Sequence, residues 1–273
     1  MSIMNLTGPS ASMINTIITT TENLGVAVPT PVADAYARYT KTDTALRTVY
    51  VGDGALATAV LAALDAGQDP NVDHEVQRIV TSAAAGNEAV ATQVRSKVLQ
   101  DLVAALTDSA DDLVAAWQEP FNAAAADIAT TAAQLGPISL AATDAVVRQG
   151  GEAADQWAKA SQANATIDTI VGAWTTLAMQ TRFVPLNNRN GMLRFTDPTF
   201  DQWDSIPLSE AKYNAWDAYG LGLKLSLASS ADYIARGQAM EAGYQQIAGA
   251  AADTASGKQD MTFVQAARSA FVR

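Results

Sequence analysis

Three aspartates, Asp197, Asp201 and Asp204, stand close together in the run Asp-Pro-Thr-Phe-Asp-Gln-Trp-Asp. Carboxylates are hard oxygen donors, and three of them could hold Ca²⁺ or Mg²⁺. An EF-hand loop needs ligands at alternate positions and a glycine at its bend, and this run has neither. Its spacing reads better as caps and a solvated loop, so no metal ligand is assigned. His74 is the only histidine. His74-Glu75 has no second histidine four residues on, which excludes the zinc-peptidase arrangement. Gly220-Leu-Gly222 lacks the third glycine and the preceding strand of a dinucleotide loop. Neither a Walker A lysine motif nor a Gly-x-Ser-x-Gly elbow is present. The absence of cysteine excludes thiolate and disulfide chemistry.

Ser209-Glu210-Ala211-Lys212 matches the Ser-x-x-Lys pattern of the penicillin-recognising serine enzymes, in which the serine is the nucleophile. Neither Ser-Asp-Asn nor Lys-Thr-Gly accompanies it, and Ser209 reads as a helix N-cap. Tyr213-Asn-Ala-Trp-Asp217 is similar to the Tyr-x-x-x-Asp export signal of actinobacterial type VII secretion substrates. Those carry the signal after a helical hairpin whose turn holds Trp-x-Gly, which this chain lacks. No catalytic residue and no cofactor is assigned, and the chain is expected not to be an enzyme.

The element that organises the chain is the stretch Val94–Leu135. From Leu99 its apolar residues fall at Leu102, Leu106, Ala110, Leu113, Trp117, Phe121, Ala124, Ile128, Ala132 and Leu135. The steps repeat as 3, 4, 4, an eleven-residue period close to that of an α-helix, so a buried stripe runs nearly straight. Unbroken, Leu99–Leu135 would span about 55 Å. The stripe reads as a core helix face, with a partner-binding coiled-coil face as the alternative. Asp101, Asp108, Asp111, Asp112 and Asp127 fall off it and should meet water. Pro120 removes a backbone donor, and the stripe keeps phase across it, which predicts a kink rather than a break. Gly136-Pro137 ends the helix.

Other elements follow from periodicity and turn signals. Ser10–Asn23 is expected to be helical, with Met13, Ile14, Ile17 and Ile18 on one side, as a loosely packed terminus. Helices are read over Pro31–Val51 and Ala55–Ala66, and Asn71 or Asp73 should cap the next one. Ile138–Arg148 reads as a short connecting helix. Glu152–Thr181 is a second long helix, its stripe running through Ala160, Ala163, Ile167, Ile170, Trp174 and Leu177. It should return antiparallel to the first, with Trp117, Trp157 and Trp174 at the seam. Two extended runs, Arg182–Leu186 and Met192–Thr196, flank Asn187–Gly191 and predict a β-hairpin. Asp197–Pro207 then reads as an aromatic, acidic loop. Helix resumes at Leu208, bends at Gly220-Leu-Gly222 and continues over Ala231–Ala252, with a last amphipathic helix over Thr262–Val272.

The fold class read is mainly α, a long antiparallel helical hairpin or bundle with a small β-hairpin insertion. Three regions are expected. Residues 1–181 form an N-terminal helical region with the long hairpin. Residues 182–207 carry the β-hairpin and aromatic loop, and 208–273 form a C-terminal helical region packed on the rest. A net charge of −11 argues against a nucleic-acid backbone or an anionic membrane as partner. No uncharged apolar run reaches bilayer length. No secretory n-region is read, since the first charged residue is Glu22.

The run Asp111-Asp-Leu-Val-Ala-Ala-Trp-Gln-Glu-Pro-Phe-Asn-Ala-Ala-Ala, followed by Gly150-Gly151 and the Trp157 helix, resembles helical proteins from structural-gene modules of actinobacterial tailed phages. The resemblance covers Val94–Thr181 and transfers no functional residue. It implies a non-enzymatic structural or assembly protein of a phage virion, a minor capsid component or scaffold-like factor, in the virion or host cytoplasm. Its partners would be capsid or other virion proteins, or further copies of the chain. Phe200, Trp203 and Trp216 are the partner-binding residues assigned, because aromatic residues dominate interface energetics. A type VII secreted substrate is the second reading, and an enzyme with a carboxylate metal site the third.

Overall fold

The computed structural model describes residues 10–48, 54–86, 88–136, 139–141, 144, 146, 148, 150–206 and 213–255. The chain forms two compact units, Met1–Leu113 and Val114–Arg273. The class is mainly α.

In the first unit, α1 (Ala11–Asn23) buries Ile14, Ile17 and Ile18. It is therefore a packed part of the core rather than a loose terminus, and only Met13 of the expected face stays exposed. The Tyr36 hydroxyl of α2 (Thr30–Thr48) donates to the Asn15 side-chain oxygen. Pro31 lies in the first turn of α2, where its missing N–H costs nothing. α2 runs antiparallel to α5 (Glu88–Asp108). Arg38 meets Asp101 at 3.5 Å, and five residues further along α2, Asp43 meets Arg95 at 2.9 Å, further back along α5. Between them α3 (Ala55–Asp65) and α4 (His74–Gly86) form a hairpin with a small core of Ala59, Ala63, Val76 and Ile79. Asp73 caps α4, its Oδ1 accepting the N–H groups of Glu75 and Val76 at 3.0 and 2.9 Å.

The organising stretch is divided at Ser109, between α5 and α6 (Ala110–Leu135), while α6 runs through Pro120. The bonds Ser109 N–H to Ala105 and Leu113 N–H to Ser109 keep the i to i−4 pattern, so the stripe holds its phase. Leu102, Leu106, Leu113, Trp117, Phe121 and Ile128 are all buried. Leu99 and Ala132 are half-buried, while Asp108, Asp111 and Asp112 are exposed.

The second unit contains α6 from Val114 and α7 (Gly151–Thr181). Lys159 meets Asp127 at 2.8 Å. Gln118 of α6 donates to the Leu227 carbonyl at 2.9 Å, and the Trp174 indole of α7 to the Ala228 carbonyl at 2.8 Å. Both helices thus clasp one extended segment near its end. Trp117 and Trp174 are fully buried, and Trp157 is half-buried with its indole N–H on the Leu140 carbonyl at 3.0 Å. α7 stops at Arg182, which takes a left-handed φ of 56°.

The expected β-hairpin does not form. Asn188–Arg194 is a 3₁₀ helix, and Thr196 makes a single antiparallel bridge with Leu225. Local hydrogen bonds win there: Arg194 Nε donates to Gly191 O at 2.9 Å, and the Thr196 hydroxyl donates to Met192 O at 2.8 Å. The strand-like residues then find a partner far along the chain instead of across the turn.

The expected aromatic loop contains α8 (Phe200–Ser205), held by a Thr199–Gln202 capping box. After it come α9 (Ala215–Gly220), capped by Asn214, and α10 (Ser230–Ala255). The expected helices over Ile138–Arg148, in large part, and Thr262–Val272, entirely, lie outside the described residues, as do Ser209 and Lys212.

Phe200 stands edge-on to Tyr244, with ring centroids 5.0 Å apart. A Cβ built on Gly243 would collide with the Phe200 ring. Helix propensity alone favours alanine over glycine by about 1 kcal/mol. We expect Gly243→Ala instead to destabilise the chain by about 1–3 kcal/mol through overpacking. In a Phe200→Ala background the same change should stabilise. Urea unfolding of the four chains checks this, and a stabilising Gly243→Ala with Phe200 present would rule out the close contact.

Candidate functional site

The densest polar constellation gathers at the start of α10. Ser229 and Asp232 form a capping box. Asp232 Oδ2 accepts from the Ser229 amide at 3.1 Å and hydroxyl at 2.8 Å, and the Asp232 amide donates back to Ser229 Oγ at 3.1 Å. These bonds, the side-chain one first, hold the Asp232 carboxyl below its ordinary pKa. One helical turn on, Arg236 points the same way. Its Nη1 donates to the carbonyls of Leu193, Thr196 and Ser226 at 3.0, 2.8 and 3.0 Å, and Nη2 to Ser226 Oγ at 3.0 Å. Asp197 Oδ1 lies 3.7 Å from Nε, and the Arg236 side chain is only 10% exposed. Burial lowers the guanidinium pKa, and Asp197 and Asp232 oppose that shift. Arginine remains protonated in such a setting.

Beside this node is an open cleft of about 300 Å³, lined by Asp197, Pro198, Asp232, Ala235, Arg236, Ala239 and Met240. Its charged groups already have partners: Asp197 also holds Lys224 at 3.3 Å. The arrangement is an electrostatic clasp on the backbone.

The structure does not bring the other candidates together. Asp197 belongs to the clasp, Asp201 lies in the first turn of α8, and Asp204 is exposed. Among the described residues no three His, Asp or Glu side chains stand close enough to hold a metal ion. His74 is exposed at the first turn of α4. Gly222, with φ of 78°, turns the chain out of α9, and its carbonyl accepts from Gln202 at 3.1 Å. Tyr213 precedes the Asn214 cap, and Asp217 lies in the helix that follows.

Of the assigned partner residues, Trp203 is 2% exposed, Trp216 7%, and Phe200 is half-buried against α10. All three take part in the packing of the second unit. Trp216 is fixed through its backbone N–H, which donates to Asn164 Oδ1 at 3.1 Å. The same Asn164 donates to Asp168 Oδ2 at 2.9 Å. Sequence reasoning passed over Arg236 and Asn164. The Ser229-x-x-Asp232 box followed one turn later by an arginine was the visible signal for the first, while Asn164 stood out only as the start of an Asn-Ala-Thr glycosylation pattern.

No protein-family model, curated protein or solved structure matches the chain. No described helix is long and apolar enough to cross a membrane.

Arg236→Lys keeps the charge but loses the planar fork that reaches several carbonyls at once. We expect it to cost about 2–4 kcal/mol in urea unfolding, because buried carbonyls lose their donors. Lys224→Met removes the exposed partner of the same Asp197 and should change stability by less than about 0.5 kcal/mol. Equal effects from the two would place the stabilisation in the ion pairs rather than the carbonyl bonds.

Asp168 carries a pH dependence. Burial raises its pKa, the Asn164 hydrogen bond lowers it, and the Asp217 charge raises it again, for a net rise. An acid raised in this way is harder to ionise in the folded chain than in the unfolded one. Its ionisation therefore costs stability as pH climbs from about 3.9, the ordinary Asp value, through the raised one, and the deficit persists above. Asp168→Asn should raise the thermal midpoint at neutral pH and match the wild type in acid. An advantage that persists unchanged in acid would assign it to packing.

Proposed function

We propose that the chain is a non-enzymatic structural or assembly protein of a phage virion, a minor capsid component or scaffold-like factor acting through protein–protein contacts. The observation that supports this reading is where the charged side chains are used. Arg236 gathers three backbone carbonyls, Asp232 and Asp73 cap helices, and Arg95 with Asp43 locks two helices together. Groups of the kind that could act on a substrate are engaged in stiffening a helical scaffold. Helices stiffened in this way offer their outer faces to partners. Capsid or other virion proteins, or further copies of the chain, are the partners expected, in the virion or the host cytoplasm. This agrees with the phage-module resemblance of Val94–Thr181.

On this reading a phage encodes the chain, and the test is made in that phage. Mass spectrometry of purified virions and of assembly intermediates should detect it in one or both. Deleting its gene should reduce or alter particle formation as seen by electron microscopy. A chain absent from both fractions, whose deletion leaves particles unchanged in number and form, would remove the reading.

A further inference from the structure

α3 is apolar on both sides. From Ala55 to Leu64 it carries no charge, and its one hydroxyl, Thr58 Oγ1, donates to the Gly54 carbonyl at 3.1 Å. A helix that is apolar all round is ordinarily covered all round. In this unit only the Ala59 and Ala63 side is buried, against Val76 and Ile79 of α4. The opposite side presents Ala57, Leu61 and Leu64 at the i, i+4, i+7 spacing of one helix face. Leu61 is 60% exposed and Leu64 56%, and Val72 in the loop after the helix is 72% exposed.

Charge decides what covers this face. Asp65, Asp69 and Asp73 follow the leucines within one short loop that holds no lysine or arginine. Asp65 and Asp69 are exposed, and the Asp69 carboxylate accepts amide hydrogens from Asn71, at 2.9 and 3.0 Å. The nearest arginine, Arg78, is gripped by Glu75 at 2.6 Å. A second copy of this acidic chain would bring carboxylates against carboxylates, and an anionic bilayer would meet the same repulsion.

Resting on the reading of the chain as a protein-contact scaffold, we infer that the Ala57–Leu61–Leu64 face of α3 docks an amphipathic helix of another protein, whose apolar stripe is flanked by lysine or arginine. The leucines fill the partner's apolar stripe, and Asp65 and Asp69 meet its basic flank. The face is one short helix wide, below the roughly 800 Å² per partner of a standard interface, so the complex is a weak and reversible one.

The probe is a fluorescent synthetic helix of leucine and lysine with leucines at i, i+3, i+4 and i+7, titrated with the full chain at physiological salt and read by anisotropy. Saturable one-to-one binding is expected. The Leu61→Ser/Leu64→Ser pair should weaken it by roughly tenfold or more. Asp65→Asn/Asp69→Asn should weaken it less and flatten its salt dependence. Ile247→Ser, at an exposed apolar position of the other unit, should leave it unchanged. Circular dichroism confirms that each variant is folded. Equal binding of a leucine–glutamate helix, or undiminished binding by the leucine pair, overturns the inference. So does capture of the chain by phosphatidylcholine vesicles, or a concentration-dependent dimer that the leucine pair abolishes. Failure here with the chain present in particles removes the α3 surface alone. Binding here by a chain absent from particles removes the virion reading alone.

Discussion

A shortage of large apolar side chains constrains this molecule. Its helices are rich in alanine, which buries little area, so the few large residues must all be placed well. The stripe from Leu102 to Leu135, carried by α5 and then α6, meets that demand by repeating every eleven residues, close to the natural period of each helix. The second stripe, from Ala160 to Leu177, does the same on α7. Their large members, Trp117, Phe121, Ile128, Ile167, Ile170 and Trp174, are among the most completely buried side chains of the chain. Pro120 is tolerated because the loss of one backbone bond is small beside the burial that flanks it.

What the helices cannot supply, buried polar groups do. The described residues between Asn188 and Ser229 hold little regular structure beyond short helices, and their carbonyls would be stranded without donors. Arg236 answers three of them from a single side chain, while the Trp174 indole and Gln118 amide answer two more. Arginine suits this task because its donors form a fixed planar fork. A lysine would reach one or two carbonyls and lose more solvation in doing so. The acidic groups Asp197 and Asp232 beside the cleft also take part in this clasp.

The α3–α4 hairpin is the opposite case. Its core is four residues, two of them alanines, and its leucines face outward. Other helices also leave single large apolar side chains outside, among them Val80, Met179 and Ile247. On α3 apolar residues surround the helix, and the carboxylates gather at one end. A surface of that composition gains by contact with an apolar and positively charged counterpart, and by little else.

The sequence alone determined the helices with strong periodicity and clear stops. Helical character over α1 to α7 follows from stripe spacing, from Pro31 at a helix start, from Asp73 as a cap and from Gly136 at an end, whereas the division at Ser109 was not legible. These are local effects, decided within a few residues, and they can be read without knowing the fold. Tertiary structure decided the rest. Met192–Thr196 has the residue types of a strand, yet Met192–Arg194 close a 3₁₀ turn and Thr196 alone bridges, to Leu225, where Arg236 holds its carbonyl. Trp203 and Trp216 look like interface residues because they are aromatic and sit near loops. Whether an indole faces water depends on what packs over it, and here α7 and α10 supply that cover to the second unit. Burial and long-range pairing are properties of the assembled chain, and no window of sequence contains them.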